Sequence, residues 1–238
     1  MIDFVQFKKI PRLSRECVIT EKIDGTNAQI FITRFWEDKY ILDVKMKDDI
    51  LIDIYFTPEV LDFISDYCIA KKDDLYMFVG SRTRWITPES DNHGFARWVK
   101  DNSEDLFNLG IGQHFGEWWG NGIQRGYDLA KGDKRFSLFN VNRWCLYNDE
   151  PKLISINPKT KIEKYQEKLP KCCYLVPILY EGMFDTYMID NFIEVLKNHG
   201  SYASKGFMKP EGIVIYHKGG NLMFKKTIEN DDTPKSKI

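Results

Sequence analysis

No run of apolar residues in this 238-residue chain is long enough to span a bilayer as a helix. The opening stretch MIDFVQFKKIPRL has neither a continuous apolar core nor a small-residue cleavage site, so no secretory signal is visible. Cysteine is sparse. The five (Cys17, Cys68, Cys145, Cys172 and Cys173) are odd in number, include no C-x-x-C pair, and have no histidine at zinc-ligand spacing. That excludes a disulfide framework and a zinc finger, and it fits five reduced thiols in an intracellular protein. An excess of either charge is missing too. Lys+Arg 34 against Asp+Glu 35 gives a formal net charge of -1, which argues against coating nucleic acid by bulk positive charge but not against a local basic groove. Internal repeats and low-complexity tracts are absent, and the polar, proline-containing ENDDTPKSKI is the one expected loose end.

What is present describes a folded chain. Hydrophobic residues at 43% and charged residues at 29% are ordinary for a globular protein, and the length suits one large domain or two small ones. Aromatic content is 14% (16 Phe, 12 Tyr, 6 Trp). Such side chains fill cores, and they also offer flat surfaces on which bases stack. Composition does not choose between those uses.

Short β-rich runs dominate. Cys17–Thr20 and Ala28–Thr33 flank an Asp24-Gly25 turn and read as a hairpin-like pair. Tyr40–Met46, Tyr76–Val79, Gln113–Trp118, Phe136–Val141, Gly212–Tyr216 and Leu222–Lys226 are further strand candidates. Helices are fewer. Thr57-Pro58-Glu59 offers an N-cap, an N1 proline and an early acid, with Val60, Ile64, Tyr67 and Cys68 at helical spacing behind it. Thr186–His199 places Ile189, Phe192, Ile193 and Leu196 on one face and meets Gly200 at its stop. The expected class is α+β, mainly antiparallel sheets flanked by helices.

Charge is unevenly spread. Glu37 to Asp74 holds eleven acids against five lysines, and Lys152 to Lys171 holds six lysines against two glutamates. Arg82, Arg84, Arg97 and Lys100 form a further basic cluster. A solvated face accounts for the lysine-rich stretch equally well.

The sharpest local feature is Glu21-Lys22-Ile23-Asp24-Gly25-Thr26-Asn27, set between two strands. A lysine at a strand end before a glycine turn can project its amine into a pocket. A free lysine amine is protonated at neutral pH and a poor nucleophile. Neighbouring cations or partial burial can favour the neutral form enough for attack on phosphorus or a carbonyl. Taken alone, the stretch reads as an ordinary hairpin.

It does not stand alone. Glu21–Asn27 resembles motif I, Lys-x-Asp-Gly, of the covalent nucleotidyltransferases: DNA ligases, RNA ligases and messenger-RNA capping enzymes. Ser81-Arg82-Thr83 resembles the arginine motif that follows. Phe115-Gly116-Glu117-Trp118-Trp119-Gly120-Asn121-Gly122-Ile123-Gln124 is similar to motif III of the bacteriophage RNA ligase 2 family. Arg135–Val141 resembles motif IIIa, Lys209–Ile215 motif IV, and Phe224-Lys225-Lys226 motif V. Six motifs in order make a specific signal where each alone is weak. Asn27, two residues after the motif I glycine, favours RNA ligases, because DNA ligases and capping enzymes usually carry arginine there.

The resemblance implies a nucleotidyltransferase (ATP-grasp-like ligase) fold over residues 1–228, with a polar tail at 229–238. Only twelve residues follow Lys226, so no OB or other C-terminal domain is expected, and a protein partner could take its place. The implied activity is ATP-dependent joining of RNA 5′-phosphate and 3′-hydroxyl ends through lysyl-AMP, with Mg²⁺ or Mn²⁺. Lys22 would be the nucleophile. Glu21 would help recognise adenine and Phe139 would stack on it. Asn27 and Arg82 would contact ribose or phosphate, with Arg84 the alternative arginine. Glu117 and Glu211 would hold the metal partly through water, in keeping with the oxygen-ligand preference of Mg²⁺. Lys225, with Lys226, would hold phosphate oxygens and favour the neutral Lys22 amine by charge repulsion. The expected location is cytoplasmic, with no membrane contact, and a viral or phage gene is left open. Alternatives are a GTP-dependent capping guanylyltransferase, a minimal DNA ligase, or an inactive relative that binds RNA ends.

Two departures stand out. Asn140 replaces the aspartate usual after the motif IIIa phenylalanine, which removes a negative charge. In motif V the family carries lysines at alternate positions, which share a strand face. Here Thr227 is the alternate-position partner of Lys225, and Lys226 is expected to point the other way.

Overall fold

The computed structural model describes residues 7, 9–36, 39–42, 52–55, 58–139 and 169–231. Along the chain these form β1 (Glu16–Lys22), β2 (Thr26–Trp36), β3 (Lys39–Leu42), β4 (Ile52–Tyr55), α1 (Pro58–Tyr67), β5 (Cys68–Lys72), β6 (Leu75–Ser81), α2 (Phe95–Asp101) and α3 (Ser103–Leu106). There follow β7 (Gly112–Gly120), β8 (Lys134–Leu138), β9 (Cys173–Leu175), β10 (Ile178–Met183), α4 (Thr186–His199), β11 (Gly212–His217) and β12 (Leu222–Thr227). Strand pairing is antiparallel throughout the described residues except where β8 meets β9. The class is α+β, as expected. None of the described helices is long and apolar enough to cross a membrane.

The described residues fall into two compact units. The first takes those up to Ile23 and from Val176 onward. Its sheet runs β10-β1-β11-β12. Alternation along β1 and β11 turns Cys17, Ile19, Ile213 and Ile215 to one face, where they pack with Ile193 and Leu196 of α4. Each fully buried aliphatic side chain of this kind contributes roughly 1.5–3 kcal/mol. Helix α4 has the limits its periodicity predicts. Asp185 caps its first turn by accepting the Tyr187 N–H (2.9 Å).

The second unit takes the described residues from Asp24 to Leu175. Its sheet runs β4-β3-β2-β7-β8-β9, with β6 also paired to β2 and β5 to β6. Ile30, Ile32, Met77, Val79, Phe95, Trp118 and Phe136 lie in its core. Trp118 and Trp119 are both buried, so their aromatic surface serves packing.

Several local expectations change. Strands β1 and β2 do not pair with each other, and each belongs to a different sheet. The Asp24-Gly25 stretch is therefore a crossing between sheets and not a hairpin. Helix α1 ends at Tyr67, and Cys68, expected on its face, opens β5. Strand β3 runs over Lys39–Leu42 in place of the expected Tyr40–Met46, and β8 stops at Leu138. Residues 43–46, Thr57, Asn140, Val141, most of the lysine-rich stretch and residues 232–238 lie outside the described residues. The four described cysteines, Cys17, Cys68, Cys172 and Cys173, are free thiols.

Candidate active site

In the first unit, β1 carries Lys22 opposite Gly212 of β11. The Lys22 ammonium donates to Glu211 Oε2 at 2.5 Å. Lys22 keeps 23% of its side-chain surface exposed and Glu211 only 3%. A lysine side chain that is partly exposed is thus held against a buried carboxylate. Gly212 is needed beside it because its φ is +156° and an added Cβ would collide with the Lys226 carbonyl. The Ile228 N–H donates to the Glu211 carbonyl (2.9 Å) and ties the end of β12 to the same spot.

Glu21 alternates to the opposite face of β1 and is 1% exposed. Its carboxylate accepts from the Ser201 hydroxyl (2.6 Å) and from the N–H groups of Tyr202 (2.8 Å) and Ala203 (2.9 Å). These bonds hold the loop that leads from α4 to Glu211. Both carboxylate oxygens are engaged by that loop.

Burial pushes the Glu21 carboxyl above its ordinary range, against the three hydrogen bonds that favour the ionised form. A folded-state pKa above the unfolded one means stability that is fully present below the unfolded value and lost as pH rises through the folded one. The Glu21→Gln variant should therefore gain on the wild type in unfolding free energy as pH climbs from acid toward neutrality. Thermal or urea melts across that range check this, and parallel stability–pH curves would refute it.

The register of β12 settles how the motif V lysines are disposed. Lys225 lies opposite Val214 and Thr227 opposite Gly212, on the strand face that carries Lys22. Lys226 lies opposite Ile213, on the α4 face, and its ammonium donates to Asp190 of α4 (2.7 Å). That hydrogen bond raises the Lys226 pKa. Lys226 is thus not brought to the face of Lys22. The Thr227 hydroxyl donates to the Glu229 carbonyl (2.8 Å).

In the second unit, Glu117 of β7 stands directly opposite Asn27 of β2. One carboxylate oxygen accepts the Gly25 N–H (3.0 Å), and the other accepts the Asn27 side-chain amide (2.9 Å). Motif III therefore grips the last residues of motif I. A Cβ on Gly25 would sit 2.5 Å from the Trp118 carbonyl and 2.7 Å from Trp119 Cβ. Only glycine allows so close an approach.

Arg82 lies exposed in the turn closed by the Ser81 N–H on the Arg84 carbonyl (2.8 Å). Arg84 Nη1 donates to the Ser90 hydroxyl (2.8 Å) and carbonyl (3.1 Å). Of the two arginines, Arg82 is the one without a described partner. Phe139 follows β8, donates its N–H to the Phe115 carbonyl (3.1 Å), and is half-buried outside the unit's described core.

Two further residues gather here, at the motif I aspartate, that the motif reading did not single out. Asp24 binds both Arg125 and Tyr127. The available signal was position, because Arg125 directly follows the Gly-Ile-Gln of motif III.

Glu117 and Glu211 offer the oxygen donors that Mg²⁺ and Mn²⁺ prefer. Among the described residues no three His, Cys, Asp or Glu side chains gather into a cage. A cation held by either glutamate would complete its shell with water and phosphate oxygens. A lysine amine beside a buried carboxylate, with a second lysine on its strand face, suits nucleophilic attack at phosphorus.

The family model described as RNA ligase matches residues 15–227. No curated protein sequence matches the chain. Among solved structures, a Naegleria gruberi RNA ligase alanine mutant with ATP and Mn aligns at 18% identity and TM-score 0.48, over 90% of this chain and 50% of its own. A second such mutant with ATP and Mn aligns at 17% identity and TM-score 0.49, over 91% and 51%. A third, with AMP and Mn, aligns at 18% identity and TM-score 0.46, over 90% and 49%. The chain spans about half the length of these structures.

Proposed function

The chain belongs to the RNA ligase family, and on that premise we propose that it is an ATP-dependent ligase that seals RNA 5′-phosphate and 3′-hydroxyl ends through AMP carried on Lys22. The observation that carries this reading is Lys22, partly exposed, its amine held by Glu211 and its side chain on the same strand face as Lys225. Both units are read as parts of one nucleotidyltransferase domain over residues 1–228.

Three transfers follow. Lys22 Nζ, having given up a proton, attacks the α-phosphorus of ATP, and the bond to the bridging oxygen of pyrophosphate breaks. An oxygen of the RNA 5′-phosphate then attacks that phosphorus, the N–P bond breaks, and Lys22 recovers its electron pair. Finally the 3′-hydroxyl oxygen attacks the 5′-phosphorus, loses its proton, and expels AMP. Positioning and charge stabilisation dominate such transfers.

Arg82, Asn27 and Phe139 are proposed to hold the nucleotide, Phe139 by stacking. Glu21, expected to help recognise adenine, is proposed to serve the nucleotide by fixing the loop at residues 201–203. Glu117 and Glu211 would hold a divalent cation partly through water. When bound, that cation would offset charge on the α-phosphate and on the pyrophosphate.

The test is incubation with Mg²⁺ and ATP labelled at the α- or γ-phosphate, followed by denaturation. Label is expected from α-labelled ATP alone and none from GTP. Retention from GTP would move the assignment to capping, and no retention would favour an RNA-end binder.

The two motif V lysines should separate in the same assay. Lys225→Ala is expected to slow adenylylation at least about tenfold more than Lys226→Ala, the order of one charge-assisted hydrogen bond. Equal losses would contradict the face assignment.

A further inference from the structure

We propose that Arg125 and Tyr127 are positioning residues for the motif I turn, an inference that rests on the function proposed for Lys22. Both lie in the segment after β7, beyond the last residue of motif III. The segment is folded tightly by its own backbone. The Ile123 N–H donates to the Gly120 carbonyl (3.0 Å), the Gly126 N–H to that of Ile123 (2.9 Å), and the Leu129 N–H to that of Gly126 (3.2 Å). Gln124, Tyr127 and Asp128 take left-handed backbone angles, with φ of 45°, 53° and 54°. Non-glycine residues persist there only where surrounding contacts over-determine them, and such strain clusters at functional sites.

The segment delivers two side chains to Asp24. The Tyr127 hydroxyl accepts the Asp24 N–H at 2.8 Å, and Arg125 Nε donates to Asp24 Oδ2 at 3.1 Å. Tyr127 is 0% exposed and stands edge-on to Trp119 with centroids 5.1 Å apart. The Trp119 indole N–H is in turn fixed on the Ser137 hydroxyl at 2.9 Å. A line of buried contacts therefore runs from β8 through Trp119 and Tyr127 to the Asp24 backbone. Glu117 clamps Gly25, the next residue, from β7. One residue, the buried Ile23, separates Lys22 in the chain from this anchored turn. Backbone freedom at the end of the lysine strand is limited by that anchor. Tyr127 and Arg125 act on different atoms of the same residue, the one on its amide and the other on its carboxylate, so their effects are separable.

The experiment measures single-turnover adenylylation with labelled ATP over a range of ATP concentrations. Tyr127→Phe keeps the ring packed against Trp119 and removes the hydroxyl that accepts the Asp24 N–H. It is expected to lower the saturating rate about tenfold, the scale of one buried hydrogen bond, with half-saturation moved less than about twofold. Arg125→Ala should lower the same rate, and Arg125→Lys, which can still reach the carboxylate, should restore most of it. In an Asp24→Asn background the Arg125→Ala effect should shrink to under about twofold, because the two act as one pair. Wild-type saturating rates in Tyr127→Phe and Arg125→Ala overturn the inference and leave the Lys22 reading intact. So does a loss that persists undiminished in the Asp24→Asn background or that lies wholly in half-saturation. A wild-type protein that takes no label from ATP overturns the Lys22 reading and this inference together.

Discussion

Replacing Lys22 by alanine is expected to cut retained label from α-labelled ATP to below about one-thousandth of the wild-type level, because the atom that would carry AMP is gone. No other described lysine offers the same arrangement at the end of β1. Lys226 is committed to Asp190, Lys218 to Glu16 and Glu181, and Lys72 to Glu104. The substitution also takes the ammonium from Glu211, a carboxylate only 3% exposed. Removing one partner of a largely buried pair costs up to about 3–5 kcal/mol, so loss of label must be separated from loss of fold. RNA supplied with AMP already on its 5′-phosphate makes the separation. It needs only the final transfer, so the folded variant should still convert it measurably while taking no label from ATP. Conversion lost together with label would mean that the substitution had unfolded the protein.

The second large effect is expected from Gly25→Ala. An added Cβ would lie 2.5 Å from the Trp118 carbonyl and 3.0 Å from Glu117 Cγ. Neither can retreat easily, since Trp118 is buried among Phe95, Trp98 and Phe136, and Glu117 is held by Asn27. Overpacking of this kind costs about 1–3 kcal/mol, which lowers the melting temperature by several degrees in a chain of this size. The turn must also move away from β7, loosening the Gly25 N–H from Glu117. Displacements of about 1 Å near reacting groups can cost on the order of a hundredfold in rate. Adenylylation should therefore fall by more than about tenfold even at temperatures where the variant remains folded. A melting temperature and a rate both equal to wild type would show that the close approach does not exist.

The sequence was most legible where the rule is local. Period-two alternation predicted that Lys226 would leave the face of Lys225, and the β11–β12 register places it against Asp190. Helical spacing and the Gly200 stop marked α4 to its observed ends. Local signals failed where pairing is distant. Asp24-Gly25 looks like a hairpin turn, yet β1 pairs with β11, about 190 residues onward, and β2 pairs with β7. Helix α2 went unread because Gly94 stands at its N-cap and its first-turn N–H groups are met from outside the helix by Asp91. Strand β9 spans only Cys173–Leu175, too short for period-two alternation to show. Motif order pointed to Glu117 and Glu211 as expected site residues, but the partners each grips could not be read from spacing. Nor could the commitment of Glu21 to residues 201–203, or the hold of Arg125 and Tyr127 on Asp24, since each needs contacts more than a hundred residues apart.

The central claim is that one lysine carries AMP. Its most direct test is mass mapping after incubation with ATP and Mg²⁺, with digestion kept at neutral to alkaline pH because a phosphorus–nitrogen bond is labile in acid. The account predicts a single AMP adduct on the peptide containing Lys22, with fragments placing it on that side chain, and its removal when 5′-phosphorylated RNA is added. An adduct on Lys225 or any other residue, or none at all in folded protein, would contradict it.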